Sequence, residues 1–281
     1  MKFKKIVILI LVVLMLGGCS SKSIVNNSIH NVRLAENYNG DWGLEAIKYT
    51  SDVSNNSIKI AVLDSGTNVE FPQIVDSYST VDDSDGFSDE VNHGTIIISK
   101  LVQLLPSSQI LSIKVFESND SIDPMALKKG IEIAIDNNVD IINISLGYET
   151  YSKEVESVIK QAKEEGIMIV SAAGNQGKPS LLYPAAYDGV ISVMSRDINN
   201  KDSRLNNYSL KKKSVSAPGE HILVDGYDFV TGSSIACVFV CATIASILHN
   251  SNYTNEEVME ILTQNAIYPT DYSYGLVQMI Q

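Results

Sequence analysis

Five short apolar runs alternate with longer stretches of helical texture. That alternation constrains the fold more than any other feature of the chain. The runs are IKIAVLD from Ile58, ILSIKVF from Ile110, IINISL from Ile141, IMIVSAAG from Ile167 and VISVMS from Val190. They are rich in β-branched residues and apolar almost throughout, which suits strands buried on both faces. Between them, Pro124 to Asn137 and Lys153 to Glu165 read as helices, and Thr254 with Glu257 forms a capping box that opens a short C-terminal helix. Strand and helix in turn imply βα units and a three-layer α/β/α domain on a mostly parallel sheet. A single domain over residues 40–281 accounts for the pattern, with no internal repeat.

In such sheets ligands bind beyond the carboxyl ends of the strands. Asp64 ends the first run, Ser145-Leu146-Gly147 ends the third, and Gly174-Asn175 ends the fourth. His93 falls at a predicted loop-to-helix turn in VNHGTIIISKLV. Near the C-terminus TGSSIACVFV, from Thr231, sets two serines before a long apolar run. By itself it reads either as a capped core helix or as a nucleophile at a helix N-terminus. Asp64 by itself could start a turn with Gly66, and Asn175-Gln176-Gly177 could be only a turn.

Taken together these residues supply the parts of acyl transfer by a hydroxyl. His deprotonates the serine, a buried carboxylate fixes the imidazole, and an Asn side chain with a helix N-terminal N–H meets the oxyanion. Four segments, AVLDSG around Asp64, NHGT around His93, SAAGN around Asn175 and TGSSIA around Ser234, resemble the subtilisin-like serine proteases. Their order and separations, 29 residues from Asp64 to His93 and 141 from His93 to Ser234, are more specific than any one motif. DWGLEAIK, DIINISLG, YPA at 183–185, SAPG at 216–219 and YGLV at 274–277 add weaker support, and the likeness spans about residues 40 to 280.

The resemblance implies that Asp64, His93 and Ser234 are catalytic and that Asn175 donates to the oxyanion. It implies that Ser145, Leu146 and Gly147 pair with substrate backbone, while Ala172, Ala173 and Gly174 wall the pocket for the side chain before the cleaved bond. It implies a peptide or protein substrate, no cofactor for catalysis, and a monomer. Structural calcium is frequent in the family, but no site transfers to this sequence. The acidic stretch VDDSDGFSDE at 81–90 lacks a full calcium-loop pattern and reads as a solvated loop.

The first residues, MKFKKIVILILVVLMLGGCS, join a lysine-rich start to an apolar run too short for an ordinary spanning helix. Leu16-Gly17-Gly18-Cys19 resembles a bacterial lipobox. The expected organisation is a signal peptide over 1–18, a lipid on Cys19, a polar tether over 19–39, and an extracytoplasmic domain held at the membrane. The formal charge of -12 becomes -15 when residues 1–18, with three Lys and no acid, are removed. That balance argues against a nucleic-acid partner, and KKK at 211–213 reads as solvated surface. Cys237 and Cys241 read as small buried hydrophobes, since a disulfide within one helical turn is geometrically poor.

The sequence also departs from the resemblance. Val238 stands where the family's serine helix usually has proline, Phe239 where it often has His, and Ile98 and Ser99 follow His93 where small residues are usual. Leu182, just before YPA, adds bulk near the pocket. Two readings remain at this level: a selective endopeptidase, including one that matures the leader of a secreted peptide such as a bacteriocin, and an inactive homologue that binds peptides in the same groove.

Overall fold

The computed structural model describes residues 41–50, 58–118, 122–250 and 253–280. The expected signal segment, Cys19 and tether lie outside these residues. Among the described residues eight strands form one sheet: β1 (Lys59–Asp64), β2 (Ile74–Ser79), β3 (Gln109–Lys114), β4 (Ile141–Ile144), β5 (Met168–Ala172), β6 (Val190–Arg196), β7 (Ser214–Pro218) and β8 (Ser273–Leu276). Their spatial order is β2-β3-β1-β4-β5-β6-β7-β8, and every neighbouring pair is parallel. The sheet is therefore wholly parallel rather than mostly so. The sequence reading missed β2, β7 and β8. β2 is a half-exposed edge strand, IVDSYS, without the apolar density that marks the others.

Among the described residues the helices are α1 (Trp42–Ala46), α2 (His93–Leu104), α3 (Pro124–Asp136), α4 (Lys153–Glu164), α5 (Ser233–Asn250) and α6 (Asn255–Gln264). They cover both faces of the sheet. In β1, Ile60 and Val62 pack with residues of α2 and α5, while Ala61 and Leu63 pack with α3 and α4. A strand's side chains alternate between faces, so two buried faces require an apolar residue at every step. α5 runs through the larger core, and every residue from Ile235 to Ala245 is buried. A helix apolar all round belongs in such a place. Among the described residues no helix is long and apolar enough to cross a membrane.

Local chemistry sets the helix ends. Asp123 caps α3, with Pro124 at its first position, and Ser152 caps α4. The Thr254–Glu257 capping box opens α6 as expected. The chain order sends β3 to one side of β1 and β4 to the other. The crevice at that reversal, beyond the carboxyl ends of β1 and β4, is where such a fold binds ligand. Asp64 and Ser145 sit there.

Candidate active site

Asp64 is the last residue of β1 and is 1% exposed. Its Oδ1 accepts hydrogen bonds from the Ser65 backbone N–H at 2.8 Å and from His93 Nδ1 at 2.7 Å. His93 is the first residue of α2, and its side chain is 35% exposed. One ring nitrogen is thus held from beneath while the ring reaches the crevice. Burial pushes the His93 imidazole down; the charge and hydrogen bond of Asp64, with the charge of Asp89, outweigh it, and the net direction is up.

The start of α2 is fixed from two sides. Asp89 is buried; its Oδ1 accepts from Asn92 N–H at 2.7 Å, and its Oδ2 accepts from Thr95 N–H at 2.8 Å and from Thr95 Oγ1 at 2.6 Å. These are the N–H groups a helix leaves unpaired, and a carboxylate there also suits the helix dipole. Gly94 donates its N–H to Ser65 Oγ at 2.9 Å. A Cβ on Gly94 would come within 2.3 Å of Gly66 O, so only glycine lets α2 seat against the end of β1.

Ser234 is the second residue of α5. Its hydroxyl donates to Ser145 O at 2.8 Å rather than to His93, and Ser145 Oγ donates back to Ser234 O at 2.9 Å. Asn143 Nδ2 donates to Ser145 Oγ at 3.0 Å from within β4. Asn175 follows β5, and its Oδ1 accepts from both the N–H of Ser233, at 2.9 Å, and its Oγ, at 3.0 Å. With its oxygen so engaged, the amide keeps its Nδ2 beside Gly232 and free to donate. The backbone N–H and the hydroxyl of Ser233 together orient Asn175.

Ser145, Leu146 and Gly147 leave β4 along the crevice. Just beyond them Tyr148 and Tyr183 exchange backbone hydrogen bonds of 2.8 Å in each direction. This places Leu182 opposite the edge. A Cβ on Gly147 would meet Leu182 Cβ at 2.8 Å, and one on Gly174 would meet Leu182 Cδ1 at 3.0 Å. Ala172, Ala173 and Gly174 are buried on the other side.

Hydrogen bonds thus join His93 to Asp64, Ser234 to Ser145 and Ser233 to Asn175 around the crevice. Sequence reasoning missed Ser65, Asp89 and Asn143, which hold the others. Asn143 gave a usable signal, as the one amide in the apolar run IINI. Asp89 lay hidden in a run of acids. Two surface readings change. Asp89 is buried, and Asp82 and Glu90 pair with the buried Lys114 at 3.4 and 3.1 Å, so the acidic stretch is partly a set of counterions. Lys212 is not a solvated cation, since its Nζ donates to Ala185 O at 2.8 Å and also to Tyr187 O. Cys237 and Cys241 are free and buried, as expected.

A carboxylate, an imidazole and a serine at a helix N-terminus, gathered at the carboxyl edge of a parallel sheet, define a nucleophilic hydrolase. The comparisons specify which one. The Subtilase family of peptidases matches residues 55–279, and the chain belongs to it. It is 30% identical over 259 residues to a thermostable alkaline protease of Halalkalibacterium halodurans, covering 84% of this chain and 71% of that one. It is also 30% identical to a subtilisin of Bacillus pumilus, covering 83% and 94%. The fold resembles that of a mutant of the protease domain of PatA, with a TM-score of 0.68 over 79% of this chain and 92% of that chain, at 22% identity. The protein is a subtilisin-like serine protease.

Proposed function

We propose that Asp64, His93 and Ser234 form the catalytic triad of a selective endopeptidase that acts outside the cytoplasm, tethered to the membrane through a lipid on Cys19. The observation that carries the triad is the His93 Nδ1–Asp64 Oδ1 hydrogen bond of 2.7 Å, made by a ring that still reaches the crevice where Ser234 lies in the first turn of α5. His93 takes the Ser234 proton as the hydroxyl attacks the scissile carbonyl, then returns it to the leaving amine. Asp64 holds the tautomer and stabilises the imidazolium. The Ser234 N–H and Asn175 Nδ2 receive the oxyanion. At rest the Ser234 hydroxyl is held by Ser145 O. A substrate strand laid along Ser145–Gly147 competes for that carbonyl and frees the hydroxyl to turn to His93. A water then attacks the acyl-Ser234 ester, His93 takes its proton and gives it to the departing Ser234 oxygen, and the acid product leaves with the enzyme restored; with water and these side chains the route calls for no cofactor.

Leu182 supports selectivity. It lies against both Gly147 and Gly174, and so fills the space in which those two segments would receive the side chain before the cleaved bond. Small residues, such as alanine, fit there best. The function is accordingly cleavage of a restricted set of extracytoplasmic peptides, maturation of a secreted peptide's leader being one such task. The remaining proposals, on the lipid and the monomeric state, rest on the sequence resemblance. Labelling of the purified protein with a fluorophosphonate tests the site: wild type is labelled, and Ser234→Ala is not. A folded wild type that resists the probe defeats the triad. Equal cleavage of unstructured casein at many sites defeats the selectivity.

A further inference from the structure

Lys100 is 2% exposed, although it lies on the helix that His93 begins. Seven residues separate the two, nearly two full turns, so both lie on the same side of α2 about 10 Å apart along its axis. The Lys100 ammonium donates to Asp41 Oδ2, to Leu223 O at 3.0 Å and to Gln103 Oε1 at 3.3 Å. It also stands 5.4 Å from the centroid of the Phe239 ring, on α5 five residues beyond Ser234. Asp41 is the N-cap of α1, with its Oδ1 on Gly43 N–H at 2.9 Å. Gly43 in turn lies against Phe239, and a Cβ there would come within 2.6 Å of the ring's Cζ. One buried cation therefore touches α1, α2, α5 and the loop that leads to Ser234.

A charge taken out of water must keep its partners, because losing one leaves it uncompensated. Sliding α2 along α5 would pull Lys100 off Leu223 O and Phe239 together. His93 and Ser234 ride on those same two helices, about two turns and one and a half turns away. We propose that Lys100, clamped by Asp41 and seated on Phe239, is a positioning residue that sets the helix of the base against the helix of the nucleophile. It does so in a serine helix that carries Phe239 and lacks the family's usual proline. The inference rests on the triad proposed above.

The test compares wild type, Lys100→Met, Asp41→Asn, and the pair Asp41→Leu with Lys100→Met, in the full-length protein. A peptide p-nitroanilide with alanine before the scissile bond is the substrate, at a temperature where circular dichroism shows every variant folded. Misplacement of about 1 Å can cost about 100-fold in rate. The expected result is a kcat lower by about 10- to 100-fold in each variant, with KM within about two-fold, since the substrate edge on β4 is untouched. The paired variant should regain most of its melting temperature, because apolar residues can replace a buried ion pair, but not its kcat. Two outcomes overturn the inference: wild-type kcat in a folded variant, or a kcat that returns with melting temperature in the paired variant. Fluorophosphonate labelling of the same wild-type sample separates the two failures: a folded wild type that resists the label overturns the triad itself. If Lys100→Met does not fold, Asp41→Asn carries the same comparison with its size unchanged.

Discussion

His93 titrates under opposed influences, and their balance sets when the enzyme works. Burial favours the neutral ring, while Asp64, by charge and hydrogen bond, and Asp89, by charge, favour the cation; the cation gains. A general base works only when unprotonated. A raised pKa therefore moves the loss of activity on acidification to higher pH. The acid limb of kcat/KM should lie above the ordinary imidazole value of about 6.5. Asp64→Asn removes the largest raising influence and leaves the burial, so any residual activity should show a limb shifted to lower pH. Its kcat should fall by about 10⁴-fold, because the ring loses the partner that fixes its tautomer. A pH–rate profile of wild type and variant checks both; an unmoved limb would mean that Asp64 does not face the working base. The Asp, His, Asn and Ser were legible because each ends or begins an element whose apolar run marks it. Ser65 and Ser233 were not legible as supports. A serine beside a motif looks the same whether its hydroxyl meets solvent or another side chain.

The proposed selectivity belongs to the segments that flank the crevice. Leu182 donates its N–H to Ala173 O at 3.1 Å, which ties it to the wall it covers. Leu182→Gly would empty that space without touching the triad. A pocket contact of this size discriminates by about 10- to 200-fold. The variant should gain that much in kcat/KM for a substrate with phenylalanine before the cleaved bond, relative to one with alanine. Paired assays on the two peptides read the ratio, and an unchanged ratio would place the pocket elsewhere. Elements of this kind were only half legible. The bulk of Leu182 was visible from its place before YPA, but its contact with two glycines depends on the Tyr148–Tyr183 pairing, which joins segments 35 residues apart. The acidic stretch failed for a related reason. Composition cannot separate Asp89, which caps α2, from exposed neighbours such as Asp83, because the difference lies in Asn92 and Thr95, at the start of α2, reaching it.

The architecture follows from strands that must be apolar on both faces, which is why β1, β3, β4, β5 and β6 could be read from sequence. β7, with two serines and a proline in the mixed-polarity run SVSAP, could not: its Ser214 and Ser216 hydroxyls are satisfied by Ser192 and Ser273 on the neighbouring strands. The same long-range pairing governs Lys212, just before β7, whose half-buried side chain sets its ammonium on the carbonyls of Ala185 and Tyr187. Burial lowers its pKa to about 8, partly opposed by the charge of Asp188. In the unfolded chain a lysine titrates near 10.4. Below pH 8 both states hold the proton, and the folded state bears the full cost of the buried charge. Between about 8 and 10.4 the unfolded state binds more protons, so this group's contribution makes stability rise with pH across that window and level off above it. Lys212→Met removes the titration while keeping the length of the side chain. The difference in melting temperature between wild type and Lys212→Met, followed from pH 7 to 10.5, should shift in favour of wild type as pH rises. A difference that stays flat over the window would show that the ammonium is solvated in the folded protein, and that the turn from Leu182 to Tyr187 is held without it.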